Sequence, residues 1–173
     1  MTRHLWIIRH AKSSWQDPGT RDHERPLNAR GERDGARMAA HLVSCADPPQ
    51  WLFTSTARRA AATARFVQQA FDIAPEQVIA LEHLYHASAQ TVLTQLQETP
   101  AACNSVALVA HNPGLTDFVN AMAAEPWLAN LPTFGTAHFQ VSVEAWHELR
   151  FGTGTLTAFF APKQLPGAAQ PPG

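Results

Sequence analysis

Two short stretches carry side chains suited to chemistry at phosphorus. Arg9-His10-Ala11-Lys12 follows the apolar run Leu5-Trp6-Ile7-Ile8, and His111-Asn112-Pro113-Gly114 follows Val106-Ala107-Leu108-Val109-Ala110. A neutral imidazole can attack phosphorus, and a neighbouring guanidinium can neutralise phosphoryl oxygens as charge shifts in the transition state. A third stretch, Thr54-Ser55-Thr56-Ala57-Arg58-Arg59, follows Trp51-Leu52-Phe53 and sets two arginines in the first turn of an expected helix. A cation there opposes the macrodipole unless an anion is present, and the free N–H groups of a helix start themselves favour anions. Taken singly, each feature reads more readily as ordinary structure, because a lone histidine beside an apolar run is usually a satisfied core residue. Together they point to a nucleophile, His10, and a phosphate ligand, His111, with guanidinium groups beside them.

Those residues meet only if the apolar runs lie side by side. Residues 5–8, 51–53, 78–81 and 106–110 are short and almost continuously apolar, as expected of strands covered on both faces. Helices are expected at 28–43, opening on Asn28 as N-cap with Gly31 and Gly35 on a face that approaches the sheet, at 57–71, and at 88–98. Another helix starts where Asn112 caps and Pro113 takes the first position, with Leu115, Phe118, Val119 and Met122 on one face. Residues 137–143 and 155–160 read as two neighbouring strands. Strands alternating with helices imply an α/β three-layer sandwich with a mostly parallel central sheet, whose ligand site lies outside the carboxyl ends of the strands. One domain is expected over 1–161, followed by a Pro- and Gly-rich disordered tail over 162–173.

The chain of 173 residues is 45% hydrophobic and has a formal net charge of -1, which argues against a protein that coats nucleic acid or an anionic membrane surface. The balance hides an asymmetry: residues 1–65 hold 11 of the 13 cations and six of the 14 acids. Cys45 and Cys103 lack ligand-like spacing and read as reduced thiols. With no secretory signal pattern and no run near 20 apolar residues, a cytoplasmic protein is the expectation.

Arg9-His10-Ala11 after a first strand resembles the Arg-His-Gly signature of the histidine phosphatase superfamily, which has the phosphoglycerate mutase-like fold. The longer string through Ser13-Ser14-Trp15, with Arg25-Pro26-Leu27-Asn28 and Gly31, looks like the short bacterial SixA-type phosphohistidine phosphatase branch. Ser55-Thr56-Ala57-Arg58-Arg59-Ala60 with Thr63-Ala64 is similar to the family element carrying its second arginine, which falls on Arg59. Val109 to Leu115 matches the segment bearing the second family histidine. The resemblance spans residues 4–160 in the expected order. It implies a phosphoenzyme mechanism without a cofactor or metal: His10 takes the phosphoryl group while Arg9, Arg59 and His111 hold its oxygens, and water then hydrolyses the intermediate.

Two departures qualify the resemblance. Ala11 replaces the family glycine, and the general acid used on alcohol phosphates has only Glu82 as a candidate, equally well read as an exposed loop acid. Lys12 and Arg25 are expected as outer phosphate or substrate contacts, Arg25 alternatively pairing at the surface with Asp22 or Glu24. Tyr85 and His86 are candidates for the pocket rim, and Thr133 lies in a late element resembling the family's. His83 and His86 lack a third metal ligand. Trp15 is read as a loop anchor, with a substrate-facing aromatic as the alternative.

The leading expectation is therefore a metal-independent phosphatase acting on phosphohistidine in proteins. The alternatives are a phosphomonoesterase for small phosphorylated metabolites and a phosphate- or phosphopeptide-binding module that does not turn over.

Overall fold

The computed structural model describes residues 1–167. Strands β1 (Thr2–Arg9), β2 (Trp51–Ser55), β3 (Val78–Leu81), β4 (Ser105–Ala110), β5 (Thr136–Ser142) and β6 (Gly154–Phe160) form one sheet in the order β3-β2-β4-β1-β5-β6. The pairings β1–β4, β2–β4 and β2–β3 are parallel, while β5 is antiparallel to β1 and to β6. Among the described strands, β5 alone runs against the rest, so the expected mostly parallel α/β sheet is the observed one.

Among the described residues four α-helices pack on the sheet: α1 (Ala29–Leu42), α2 (Arg58–Phe71), α3 (Ala89–Gln97) and α4 (Gly114–Met122). Strand alternation sorts the core into two layers. Leu5 and Ile7 of β1, with Val106 and Leu108 of β4, pack with Val92, Leu96, Leu115 and Phe118 from α3 and α4. Trp6 and Ile8, with Ala107 and Val109, face Met38, Leu42, Ala64 and Val67 from α1 and α2. Burial on both faces explains why β1 and β4 read as unbroken apolar runs.

Several local expectations change in detail. Asn28 does cap α1, accepting the Gly31 N–H at 2.8 Å. The close approach at Gly31 is to the Lys12 carbonyl, however, and that at Gly35 is to the Phe66 ring of α2, so this helix face meets a loop and a neighbouring helix where sheet contact was expected. Helix α4 begins one residue later than the Pro113 start, and the Asn112 Oδ1 reaches in to accept the Thr116 N–H at 3.2 Å. The expected tail opens as a 3-10 turn at Pro162–Gln164, where the Arg37 guanidinium donates to the Leu165 carbonyl at 3.3 Å; its part beyond 167 lies outside the described residues. Among the described residues no helix is long and apolar enough to cross a membrane.

Candidate active site

The carboxyl ends of the adjacent strands β1, β4 and β2 converge, as the topology of an open α/β sheet requires of a ligand site. Arg9 ends β1, and its Nη1 donates to the Leu131 carbonyl at 2.9 Å. The next residue, His10, is 7% exposed and is held by backbone on both sides: its N–H donates to Ala110 at 3.1 Å, and its carbonyl accepts the Phe134 N–H at 3.1 Å. Loop 131–135 thus wraps the end of β1, and Phe134, fully buried, takes a left-handed φ of 51° there. The His10 Nδ1 donates to the Ala11 carbonyl at 2.7 Å, which leaves Nε2 as the ring's lone-pair nitrogen. Ala11 does not have a positive φ, so replacing the family glycine costs no backbone strain.

His111 follows β4, with its ring centroid 5.1 Å from that of His10. Its Nε2 lies 2.8 Å from Ser55 Oγ at the end of β2. Ser55 Oγ accepts the Ala57 N–H at 3.1 Å and can donate its own proton to His111 Nε2, in which tautomer the imidazole proton sits on Nδ1. Arg59, the second residue of α2, is buried and clamped by Asp22: Nη1 donates to the Asp22 carbonyl at 2.6 Å and Nη2 to Oδ2 at 3.1 Å. Thr63, four residues along the same helix face, links the two segments by accepting the Ala11 N–H at 2.8 Å and donating to the Arg59 carbonyl at 2.8 Å.

Electrostatics follow from this crowding. Burial, with added repulsion from Arg59, Arg9 and Arg25, holds the His10 pKa down at about 4 against the pull of its Ala11 bond. Burial also lowers His111 to about 3, helped by His10 and Arg59. Both rings are therefore neutral near pH 7, the state in which His10 can act as a nucleophile. Burial and Arg59 lower Arg9 from its ordinary value as well. Arg9 Nε, Arg59 Nε and His111 Nδ1 are buried and have no hydrogen-bond partner. Arg3 Nε, His41 Nε2 and Trp51 Nε1 are also buried and unpartnered, but only the Arg9, Arg59 and His111 nitrogens belong to residues at or just after the carboxyl ends of the adjacent strands β1, β2 and β4, where an anion would satisfy them.

The other residues singled out from sequence divide. Arg25 is buried, not a surface group: its Nε donates to Asp22 Oδ1 at 3.0 Å and its Nη1 to Ser13 Oγ at 2.9 Å, while its charge is felt at His10. Tyr85 donates its hydroxyl to Asp22 Oδ2 and sets its ring edge-on to His111 at 5.6 Å, and the exposed His86 ring lies against Tyr85 at 3.9 Å. The rim expected of these two is thus beside His111. Gly114 permits this, because a Cβ there would collide with the Ala87 carbonyl of the same loop. Glu82 is exposed at the head of the turn after β3 and makes no side-chain hydrogen bond or ion pair among the described residues. Lys12 is half-buried and meets α1 through its carbonyl; Thr133 is half-buried in the loop that wraps His10. Arg58 points to the surface, leaving Arg59 as the inward member of the pair. Trp15, read as a loop anchor, is 72% exposed and has the Arg25 guanidinium carbon 3.4 Å from its ring centroid. His83 bonds Gln95 at 2.8 Å, away from His86, and among the described residues no cluster of three or more His, Cys, Asp or Glu is placed to hold a metal.

Sequence reasoning missed Asp22 as the organiser of Arg25, Arg59 and Tyr85. The Tyr85 hydroxyl and both guanidiniums hold its carboxyl well below the ordinary range, so it is ionised. No local pattern marks it, since it lies in an exposed 3-10 turn, Asp22–Glu24, whose relation to α2 is tertiary. Ser55 and Thr63 were visible inside a motif, and only the fold gives them partners.

Comparison with known proteins agrees with this geometry. Residues 5–92, about half of the chain, match the model of the histidine phosphatase superfamily, branch 1. The structure resembles that of a candidate phosphohistidine phosphatase SixA from Agrobacterium tumefaciens, with TM-score 0.79, 28% identity, and coverage of 92% of this chain and 98% of that one. A protein histidine phosphatase SixA complexed with tungstate has the same fold at TM-score 0.75 and 21% identity, covering 92% of this chain and 97% of that one. A Mycobacterium tuberculosis protein of no stated function is 28% identical over 165 residues, 90% of this chain and 100% of that protein. A chloroplast protein of Arabidopsis thaliana is 42% identical over 72 residues, 42% of this chain, a stretch spanning only 33% of that protein. With the motif strings at three strand ends and a matching fold, the chain belongs to the histidine phosphatase superfamily.

Proposed function

We propose that the protein is a phosphatase that works through a phosphohistidine on His10, without a metal, and that its substrate is phosphohistidine in a protein. The observation that supports it best is the free Nε2 of His10 beside the unpartnered Arg9 Nε, Arg59 Nε and His111 Nδ1. In this reading His10 Nε2 attacks phosphorus; the new N–P bond forms as the bond to the leaving atom breaks and carries its electron pair away. The three donors take the phosphoryl oxygens, supplying positive charge where other phosphoryl-transfer enzymes use a metal ion. Water then attacks phosphorus, releasing inorganic phosphate and returning the electron pair to Nε2. The bond from Nδ1 to the Ala11 carbonyl stabilises the cationic ring of the intermediate.

The leaving group decides the substrate class. An alkoxide needs a proton, but Asp22 is ionised and Glu82 stands exposed without a site partner. A phosphorylated imidazole that carries a proton on its far nitrogen leaves as a neutral ring and needs no acid. The likeness to a candidate phosphohistidine phosphatase supports the same reading. The test is to incubate the protein with phosphoramidate in EDTA, quench it, and map the acid-labile phosphoryl group. Wild type should label on His10 and release phosphate, and His10→Ala should do neither. Equal phosphate release by the two proteins overturns the mechanism, and stoichiometric binding of phosphate without turnover would instead identify a binding module.

A further inference from the structure

One exposed aromatic lies outside the chemistry described so far. Trp15 is 72% exposed, the most solvent-accessible large apolar side chain among the described residues, yet it is not loose. The Arg25 guanidinium carbon lies 3.4 Å from the centroid of its ring, a close cation–π stack on one face. Arg25 is itself fixed, since it is 7% exposed and bonded to Asp22, Ser13 Oγ and the Ser14 carbonyl. The backbone beside the tryptophan is pinned as well: Ser14 N–H donates to the Pro26 carbonyl at 2.8 Å, and Ser13 bridges to Leu27. A large ring held rigid with its second face in water has already lost the conformational freedom that binding would cost. Asp22 joins this platform to the anion place, its Oδ1 accepting Arg25 Nε at 3.0 Å and its Oδ2 accepting Arg59 Nη2 at 3.1 Å.

Resting on the reading of His10 as a phosphatase nucleophile, we propose that the open face of Trp15 receives the leaving-group ring of the substrate, a phosphorylated imidazole carried on a polypeptide. The depth relations favour this occupant. His10, Arg59 and His111 are each less than 10% exposed while Trp15 stands out in solvent, so a leaving group that touches both must run from a buried phosphoryl group to the surface. A planar ring attached to a chain does this. It also stacks on an indole, which a compact alkyl leaving group cannot do. The Arg25 beneath draws electron density from the indole and leaves the outer face to a neutral ring.

The experiment compares kcat/KM on a phosphohistidine peptide with kcat/KM on phosphoramidate, which has the same P–N bond and no ring, for wild type, Trp15→Ala and Trp15→Phe. The selectivity ratio, peptide over phosphoramidate, should fall about tenfold in Trp15→Ala, mainly through KM, and return to within about threefold of wild type in Trp15→Phe. Because both rates scale with the amount of folded enzyme, the ratio is unaffected by a partly unfolded preparation. An unchanged ratio in Trp15→Ala overturns the proposal, as does a wild-type protein that hydrolyses phosphoramidate and small phosphorylated metabolites but not the peptide. Failure of wild type to label His10 from phosphoramidate refutes the phosphatase reading itself, and the two failures are thereby told apart.

Discussion

Removing the Ser55 hydroxyl tests how the site sets the tautomer of His111. Ser55→Ala deletes the 2.8 Å contact to His111 Nε2 and the 3.1 Å bond from Ala57 N–H, both in buried surroundings. Two buried groups lose their partner, at about 1–2 kcal/mol each, so the variant should be destabilised by roughly 2–4 kcal/mol. For a chain of this size that lowers the melting temperature by roughly 5–15 °C. The activity argument is separate. With Ser55 donating to Nε2 the imidazole proton is held on Nδ1, the buried nitrogen without a protein partner; without the hydroxyl the ring can put the proton on Nε2 or turn. Complete loss of a transition-state donor costs about 10²–10³ in kcat, and unlocking the tautomer should cost less, about 10- to 100-fold. The assay is phosphate release from phosphoramidate by folded protein below its melting transition, for Ser55→Ala, His111→Ala and the double variant. Acting through His111, the serine substitution should add nothing once His111 is gone. A double variant slower than His111→Ala by the full Ser55→Ala factor would refute the reasoning, as would a Ser55→Ala enzyme with wild-type kcat.

Other outcomes follow from the same geometry. His10, His111 and His138 have folded pKa values of about 4, 3 and 4, below the ordinary histidine value, so below about pH 6.5 the unfolded chain binds more protons and stability falls with pH. Each group contributes a slope of at most about 1.4 kcal/mol per pH unit between its two pKa values. The melting temperature should therefore drop steadily from pH 7 to pH 5, less steeply in His10→Asn, and a flat profile would contradict the burial argument. Gly114→Ala drives a methyl into the Ala87 carbonyl and should cost about 1–3 kcal/mol in thermal melts while displacing the Tyr85–His86 loop, seen as a change in Tyr85 fluorescence or NMR shift. Asp22→Asn removes the half-exposed charge that occupies Arg59 and Arg25; stability should fall by about 1–2 kcal/mol, while calorimetry should show inorganic phosphate binding several-fold tighter, since no carboxylate then competes for Arg59. Weaker phosphate binding in that variant would mean that Asp22 acts by positioning Arg59.

The basic excess of the first 65 residues shows how far composition carries. Two of its arginines, Arg9 and Arg59, line the anion place and Arg25 is tied to Arg59 through Asp22, which the charge asymmetry by itself did not distinguish from arginines scattered on helix surfaces. Arg3, from the same basic excess, is 3% exposed and donates to the Cys103 and Glu144 carbonyls at 2.6 and 2.7 Å. Charge counts on a chain cannot separate such a structural arginine from a ligand-binding one, because the difference lies in which carbonyls the fold brings near.

The sequence alone determined the elements and the ends at which chemistry could collect. Short apolar runs without polar interruption read as strands covered on both faces, and the residues that follow parallel strands emerge at one edge, so Arg9, His10, the Arg58–Arg59 pair and His111 were legible before any coordinates, and the family resemblance singled out Arg59. Their neighbours were not. Asp22 reaches Arg59 across 37 positions, Ser55 reaches His111 across 56, and Leu131 caps Arg9 across 122. Hydrogen bonds of about 3 Å depend on loop paths and helix placement that no periodicity encodes. The tertiary structure therefore decided which nitrogen of each histidine is free, which guanidinium nitrogens remain unpartnered, and that Trp15 faces solvent. Local pattern fixes what a segment is, whereas short-range directional forces between distant segments fix what its side chains can do.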